Sequence, residues 1–244
     1  MNQAFDPTRE YYNEFSKRYE DERRPNSAVG YHAMIDDLEV EIVERFGRGK
    51  SVLECGCGTG LLLERFAAFA SDAQGIDLSP GMLSLATARG LNVREGSVTS
   101  LPYGDSSFDV TCSFKVLAHV EDIGTAMSEM ARVTKPGGVI LAEFYNPWSF
   151  RGLAKRLGPA GKISDATKES AVYTRFDAPW DIPKYIPAGC QLEGRFGVRV
   201  ATPVAGAVRL PVLGKWLQRA EHALADTAAA NLAGFYVAIV RKAR

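Results

Sequence analysis

The spacing of hydrophobic positions changes along this chain and divides it into three parts. From Met34 to Phe46, apolar residues recur every four positions, which is the spacing of one helix face. Between residues 51 and 144, short apolar runs alternate with segments of helical spacing. After residue 146 the pattern loosens. The first part predicts an amphipathic helix that Gly47 ends, and the second predicts alternating strands and helices.

Five apolar runs in the middle part are predicted strands, separated by helical segments or loops. They are Ser51–Glu54, Ala73–Asp77, Leu91–Glu95, Phe108–Phe114 and Val139–Phe144. Strands that alternate with helices form βαβ units, and right-handed crossovers then give a doubly wound parallel sheet. Helices would cover both faces of this sheet. The pattern therefore predicts an α/β fold.

The two ends of the chain add further elements. Tyr11–Arg23 is polar with aromatic residues four apart, so Tyr11 and Tyr19 would lie on one helix face. Later segments are predicted as two helices and two strands: Phe150–Leu157, Lys215–Ala225, Gly194–Val200 and Phe235–Val240. We predict a single domain with an N-terminal helical cap over 1–47, a core over 48–145 and a C-terminal segment over 146–244.

Composition and charge exclude several classes of protein. The chain has 244 residues with 29 Lys plus Arg and 29 Asp plus Glu, so it lacks the basic excess of most nucleic-acid-binding proteins. Its longest apolar stretch, Leu232–Val240, is far shorter than the about 20 residues that a membrane-spanning helix needs. The N-terminus has no signal-peptide pattern. We expect a soluble, cytoplasmic protein with no nucleic-acid or membrane partner.

The cysteines do not indicate a metal site. The four cysteines form no C-x-x-C pair, and no histidine lies near them in metal-ligand spacing. Cys55 and Cys57 flank Gly56, where they cannot bridge each other without distortion. We therefore predict no bound metal, no disulfide framework and a reducing compartment.

The clearest chemical signal is the glycine-rich turn that follows the first predicted strand. Glu54 is followed by glycines at positions 56, 58 and 60. Glycine lets a ligand approach the backbone closely, and N–H groups at a helix start favour an anionic or carboxylate-bearing ligand. The spacing departs from G-x-G-x-x-G, whose third glycine would fall on Leu61. This departure disfavours a nicotinamide or flavin site.

An acidic residue, Asp77, ends the second predicted strand. In nucleotide-binding α/β units, an acidic side chain at this position accepts hydrogen bonds from ribose hydroxyl groups. The alternative is that Asp77 only caps the following helix. Ser79 before Pro80 is the better helix cap, which favours the ribose role for Asp77.

Together these motifs resemble the class I S-adenosylmethionine-dependent methyltransferases, of the small-molecule, methyltransferase type 11-like kind. The matching segments are Val52–Gly60, Gly75–Leu83, Leu101–Tyr103 with Phe108-Asp109, Val116–Val120 and Lys135–Gly138. The resemblance implies a Rossmann-like, seven-stranded sheet in the order 3-2-1-4-5-7-6, with the last strand antiparallel. It also implies S-adenosyl-L-methionine as the cofactor, and residues 146–244 would then carry the acceptor side.

The resemblance also implies a set of cofactor-binding residues. Glu54 and the glycine backbone would hold the amino-acid end of the cofactor, and Asp77 would hold its ribose. Ser97 stands where the family commonly has an aspartate that accepts from the adenine amino group, so adenine would be held less strongly here. The predicted set is Tyr11, Tyr19, Glu54, Gly56, Cys57, Gly58, Gly60, Asp77, Leu78, Met82, Ser97, Val98 and Phe114. For the two tyrosines, simple packing of an N-terminal helix is the alternative.

A second set of residues would serve the reaction and the acceptor. By the same resemblance His119, just past the fourth predicted strand, would be a base; the alternative is a packed histidine with one structural hydrogen bond. The candidate acceptor-binding residues are His32, Tyr145, Asn146 and Trp148. A surface position for His32 and a core position for Trp148 remain alternatives. The basic run Arg151–Lys162 is interpreted as a solvated helix face or as a lid for an acidic acceptor.

We therefore expect a methyltransferase that moves a methyl group to an O, N or C atom of a small molecule by in-line displacement. Two alternatives stay open. One is a methyltransferase for protein or peptide side chains, and the other is a catalytically inactive protein that binds S-adenosylmethionine for regulation. The small-molecule acceptor is the expected partner, and a homodimer is left open.

Overall fold

A computed structural model describes residues 7–23, 30–149 and 173–244. Two sequence predictions, the helix Phe150–Leu157 and the basic run Arg151–Lys162, lie outside these described residues. The division of the chain into cap, core and C-terminal segment stays a prediction.

In the described part of the chain, seven strands form one sheet. They are β1 (Ser51–Cys55), β2 (Asp72–Asp77), β3 (Asn92–Glu95), β4 (Phe108–Ser113), β5 (Thr134–Tyr145), β6 (Cys190–Val198) and β7 (Phe235–Lys242). Their order is β3-β2-β1-β4-β5-β7-β6. The first five strands pair in parallel, and β7 pairs antiparallel with both β5 and β6. The predicted strand order and the antiparallel last strand are confirmed.

Six α-helices accompany the sheet in the described residues. They are α1 (Pro7–Arg23), α2 (Tyr31–Gly47), α3 (Leu61–Phe66), α4 (Pro80–Ala88), α5 (Ile123–Val133) and α6 (Pro211–Ala225). Strand β5 begins earlier than predicted, because Thr134 already pairs with Phe108 before a bulge in the ladder. The Thr134 hydroxyl lies 2.9 Å from that of Thr111 and donates to the Met130 carbonyl at 2.7 Å.

The core has two layers, one on each face of the sheet. Alternate residues of β5 divide between them, since Leu141 packs in one layer and Ile140 in the other. The first layer includes Leu38 of α2, and the second includes Met127 of α5. Both faces are therefore covered, as a parallel sheet requires.

The sheet reverses its order of winding between β1 and β4. In open α/β sheets, ligands bind beyond the carboxyl ends of the strands at such a switch point. Glu54 and Asp77 lie near the carboxyl ends of β1 and β2, and Lys115 follows β4. The fold therefore brings the glycine-rich turn and Asp77 to one edge.

Helix α1 is attached to this edge through α4. The Asn13 side-chain oxygen accepts hydrogen bonds from the Ser79 hydroxyl at 2.8 Å and from the Gly81 backbone N–H at 2.9 Å. Because Ser79 and Gly81 begin α4 directly after Asp77, these bonds hold α1 over the same edge. Within the described residues, no helix is long and apolar enough to cross a membrane.

Candidate active site

A cavity of about 1030 Å³ opens at the carboxyl ends of β1, β2 and β4. Fourteen of the predicted site residues line it: Tyr19, His32, Glu54, Gly56, Cys57, Gly58, Asp77, Leu78, Met82, Ser97, Val98, Phe114, His119 and Tyr145. Four predicted residues are not among those that line it: Tyr11, Gly60, Asn146 and Trp148. Most of the predicted residues therefore surround one cavity, and their roles in binding stay predictions.

The glycine-rich turn has two kinds of glycine. At Gly58 (φ +53°) an added Cβ would meet no atom within 4 Å, so the backbone there is open for a ligand to approach. At Gly60 (φ +82°) an added Cβ would lie 2.3 Å from the Leu91 side chain. Gly60 therefore packs against Leu91 instead of lining the cavity, which is the physical reason that it departs from the predicted set.

Asp77 connects the turn to α4. One carboxylate oxygen accepts from the Gly58 backbone N–H and the other from the Ser79 backbone N–H, both at 2.9 Å. Burial raises the pKa of Asp77, and these two hydrogen bonds oppose the increase. Ser79 caps α4 by accepting from the Met82 N–H at 3.2 Å. Each carboxylate oxygen retains a second lone pair, so Asp77 can organise the turn and still accept from a ligand.

Glu54 is a buried carboxyl group in the lining of the cavity. Its Oε2 atom has no hydrogen-bond partner. Burial is the main reason that its pKa is raised well above the ordinary value, and the nearby charge of Glu39 adds to the increase. A buried polar atom without a partner is costly, so a cationic donor at this position would be stabilised.

Lys115 joins Glu54 in lining the cavity and belongs to a buried charged cluster that the sequence did not reveal. Its Nζ atom is 2.7 Å from Glu39 Oε2, and its backbone N–H donates to Glu143 Oε1 at 2.9 Å. Lys115 has a positive φ of 60°, a conformation that costs about 1–2 kcal/mol for a residue with a side chain. The bonds to Glu39 and Glu143 hold the residue in this conformation directly after β4.

A row of aromatic rings runs along the cavity with His119 in its middle. The ring centroids are 6.5 Å apart for Phe15 and Tyr12, 6.4 Å for Tyr12 and His119, 5.8 Å for His119 and Tyr145, and 5.2 Å for Tyr145 and Phe235. All five residues line the cavity. This aromatic row offers flat apolar surfaces on both sides of the histidine.

The orientation of His119 follows from the contacts of its Nδ1 atom. This atom lies 2.9 Å from the backbone carbonyl oxygen of Tyr173 and 3.3 Å from the Thr174 hydroxyl. A carbonyl oxygen only accepts, so Nδ1 donates to the nearer partner, and in the neutral imidazole Nε2 then carries the lone pair. The ring can therefore accept a proton at Nε2.

The segment that holds His119 was missed by the sequence analysis. The Arg175 backbone N–H donates to the Ala118 carbonyl at 2.7 Å, and the Arg175 guanidinium bonds Asp177 at 2.7 Å. The Asp177 carboxylate in turn accepts from the Tyr185 hydroxyl at 2.8 Å, and the Asp177 backbone N–H donates to the Tyr145 backbone carbonyl at 2.9 Å. These contacts fix residues 173–177 against the turn that carries His119, and no local pattern in the sequence indicates them.

Tyrosine positions on α1 differ from the prediction. Tyr12 and Tyr19 line the cavity, whereas Tyr11 does not. The Tyr11 ring instead stacks on Phe15 at 5.8 Å, which agrees with the alternative of packing within the helix. Burial raises the pKa of Tyr12, and burial with the charge of Glu143 raises that of Tyr145. Both phenols therefore stay neutral and can donate hydrogen bonds.

Asn146 links two segments of the chain, and Trp148 lies beside a second tryptophan. The Asn146 side-chain amide donates to the carbonyls of Asn231 at 2.8 Å and Ala233 at 3.0 Å, and its oxygen accepts from the Trp148 N–H at 2.9 Å. These bonds tie the end of β5 to the start of β7. The Trp148 ring lies 5.7 Å from Trp180 and is partly exposed, so it is not in the core.

The comparisons with known proteins agree with this site. Residues 53–142 match the methyltransferase domain family. A demethylmenaquinone methyltransferase of Renibacterium salmoninarum is 42% identical over 103 residues, which cover 41% of this chain and 43% of that protein. A malonyl-[acyl-carrier protein] O-methyltransferase of Serratia marcescens is 35% identical over 95 residues, which cover 38% of this chain and 37% of that protein. The chain thus spans about two fifths of the length of these curated relatives.

The fold is shared over a longer part of the chain. A Thermotoga maritima structure, described as an S-adenosylmethionine-dependent methyltransferase and possible histamine N-methyltransferase, aligns with a TM-score of 0.66 at 19% identity. The alignment covers 94% of this chain and 98% of that one. Residues 53–142 thus match a methyltransferase domain, and the fold is that of the class I S-adenosylmethionine-dependent methyltransferases. S-adenosyl-L-methionine is the cofactor of this family and fold.

The residues of the methyltransferase domain fit this cofactor. The unpartnered Glu54 Oε2 suits the ammonium group of its amino-acid end, and the open backbone at Gly58 leaves room beside it. Asp77 has lone pairs for the ribose hydroxyls. Ser97 lines the cavity, but its hydroxyl lies 2.7 Å from that of Thr99, so it already has a neutral partner. In the described residues, no group of three His, Cys, Asp or Glu side chains could hold a metal ion.

Cofactor binding is expected to release a proton from Glu54. Burial and Glu39 raise the pKa of this carboxyl group in the free protein, and a bound ammonium group would lower it. At a pH between the free and bound pKa values, the carboxyl group therefore loses a proton on binding. Titration calorimetry with S-adenosylhomocysteine in buffers of different ionisation enthalpy measures this release.

The matched control is Glu54→Gln, which cannot release the proton. It should bind more weakly and with a heat that no longer depends on the buffer. A buffer-independent heat for the unmodified protein would contradict the prediction.

Proposed function

We propose that this protein transfers a methyl group from S-adenosylmethionine to a small aromatic acceptor that carries a hydroxyl group, with His119 as the base. The observation that carries the proposal is His119 itself. Its Nδ1 atom bonds the Tyr173 carbonyl, its Nε2 atom keeps a lone pair, and its ring lies between Tyr12 and Tyr145 in the cavity.

The donor side of the cavity would position the cofactor. Glu54 would pair with the ammonium group, the backbone at Gly58 would approach the amino-acid end, and Asp77 would accept from the ribose. When bound, S-adenosylmethionine supplies a methyl group on a positively charged sulfur. The acceptor lone pair would form the new bond to this methyl carbon, and the electron pair of the broken carbon–sulfur bond would stay on sulfur. The methyl group is already activated, so the protein mainly has to align the partners and exclude water.

The acceptor side would be the aromatic row. Flat rings of Tyr12 and Tyr145 pack well against a flat apolar acceptor. The acceptor hydroxyl proton would pass to Nε2 of His119, because an ionised oxygen is a stronger nucleophile and also activates a neighbouring ring carbon. The Arg175–Asp177 pair would keep the histidine in position through residues 173–177. A base is needed for such an acceptor and not for one that lacks an acidic proton.

One relative supports a small acceptor, since it is named for demethylmenaquinone. The other is named for the O-methylation of a malonyl group on an acyl-carrier protein. Because the matched parts cover less than half of those proteins, their acceptors are not transferred to this chain. The aromatic row favours an aromatic acceptor, and the methylated atom would be the hydroxyl oxygen or a ring carbon next to it.

The test is transfer of a labelled methyl group to matched pairs of small aromatic compounds with and without a hydroxyl group. We expect transfer to hydroxylated members only, and inhibition by S-adenosylhomocysteine. Equal transfer to both members of each pair would contradict the proposed base chemistry. Tight binding of S-adenosylhomocysteine without transfer to any acceptor would favour the regulatory alternative.

A further inference from the structure

An exposed apolar surface with basic residues surrounds the start of α6. Its side chains are Val204, Arg209, Leu210, Val212, Leu213, Lys215, Trp216 and Arg219, and we call it the α6 patch. Val212 is 84% exposed and Trp216 is 62% exposed. Contiguous exposed apolar groups of this size mark contact surfaces more often than scattered single residues do. We propose that the α6 patch docks the protein onto a lipid bilayer with anionic headgroups.

Charge identifies the kind of partner. Residues 199–220 contain four Arg or Lys residues, at positions 199, 209, 215 and 219, and no Asp or Glu. Arg209, Lys215 and Arg219 are exposed. Two acidic groups of the described residues lie towards the other end of α6, where Asp226 bonds Arg45 and Glu41 bonds His222. Among its own side chains, the α6 patch contains basic groups and no acidic ones.

The chain beneath the α6 patch is packed and hydrogen-bonded. The buried carboxylate of Glu221 accepts from the Val200 N–H at 2.6 Å and from the Thr202 N–H and hydroxyl at 2.7 and 2.6 Å. Gly214 allows α6 to pack tightly, since an added Cβ would lie 2.1 Å from the Val208 carbonyl oxygen. The exposed residues thus belong to an ordered surface and have not simply failed to pack.

This combination is typical of a helix that lies in a membrane interface. Such helices insert Trp and Leu side chains at the headgroup level, while Lys and Arg side chains contact anionic lipids. A second copy of the chain fits less well. A twofold dimer places the same surface against itself, so the basic side chains of both copies would lie in one interface. Like charges at such short distance are unfavourable.

The segment just before the α6 patch contacts α2. The Arg199 guanidinium lies over the Tyr31 ring at 5.1 Å, and the Thr202 hydroxyl oxygen lies 3.7 Å from the Met34 sulfur. Tyr31 lines the cavity. Docking would therefore place the α2 side of the cavity close to the bilayer. The sequence-based expectation of no membrane partner rested on the lack of a spanning stretch, and interfacial docking needs none.

The test is co-sedimentation of the full chain with vesicles of phosphatidylcholine alone or of equal parts phosphatidylcholine and phosphatidylglycerol. We expect binding to the anionic vesicles only, weakened by added salt. Trp216→Ala and the double variant K215E/R219E should each lower the partition constant, the latter by on the order of tenfold or more. Circular dichroism of each variant checks its folding, and K215E/R219E changes only exposed side chains.

Matched controls come from another surface. The exposed fraction of Trp180, 65%, is similar to that of Trp216, and Lys184 is also exposed. Trp180→Ala and Lys184→Glu should bind anionic vesicles like the unmodified chain. Equal binding to both vesicle types, or unchanged binding by both α6 variants, would overturn the proposal. A dimer in solution that Trp216→Ala dissociates, without vesicle binding, would assign the surface to a second copy instead.

Discussion

The His119→Ala variant is expected to lose on the order of 10²- to 10⁴-fold in kcat, the usual contribution of a positioned base. The ring would no longer accept the acceptor proton at Nε2, while the donor side of the cavity stays intact. The affinity for S-adenosylhomocysteine, measured by calorimetry, should therefore change little. The loss should appear in kcat, because the histidine acts mainly in the transition state.

A purely structural histidine would give a different dependence on the acceptor. If His119 is the base, the loss in kcat should shrink for phenols that are already ionised at the assay pH. A structural role predicts the same loss for all acceptors. His32→Ala is the matched control, since His32 also lines the cavity but its ring lies beside Tyr31 at 5.4 Å. A similar kcat loss in both variants, independent of acceptor acidity, would contradict the assignment.

The Asp77→Asn variant should weaken S-adenosylhomocysteine binding by on the order of 10²-fold, because charge-assisted hydrogen bonds contribute about 1.5–3 kcal/mol each. The substitution removes the negative charge available to the ribose. It also places an NH₂ group opposite either the Gly58 or the Ser79 N–H, both of which donate to Asp77. Calorimetry well below the unfolding temperature measures the affinity, and thermal unfolding measures the accompanying loss of stability.

Asp109→Asn provides a matched control at a carboxylate of β4. Asp109 also accepts from a backbone N–H, that of Ser51 at 3.0 Å, and from Lys135 at 2.9 Å. It does not line the cavity, so its substitution should lower stability without changing cofactor affinity. If Asp77→Asn and Asp109→Asn change the affinity equally, the role of Asp77 in holding the cofactor would be wrong.

Much of the donor side could be predicted from local sequence features. The glycine-rich turn and Asp77 were recognisable because backbone conformation and strand ends leave a short-range pattern of residue types. The Gly58 backbone N–H donates to the Asp77 carboxylate at 2.9 Å, because the strands that precede these two residues are parallel neighbours. The same reasoning could not distinguish Gly58 from Gly60, since the side chain that fills the space at Gly60 comes from Leu91.

The acceptor side depended on contacts between distant segments. Tyr173 holds His119 although 54 positions separate them, and Lys115 pairs with Glu39 over 76 positions. Such contacts have no periodic signature, because the chain between them can take many courses. The choice of Tyr12 over Tyr11 likewise depended on how α1 is rotated against α4 through Asn13.

The sequence by itself determined which segments form the parallel strands and helices and where the glycine-rich turn lies, because hydrophobic period and glycine placement are local properties. The strand order followed from the resemblance to a known family. Only the tertiary structure decided which nitrogen of His119 is available, which rings form the aromatic row and which side chains of α6 remain exposed. These outcomes depend on long-range packing, in which one face of a helix or one atom of a ring is buried by residues far away in the chain.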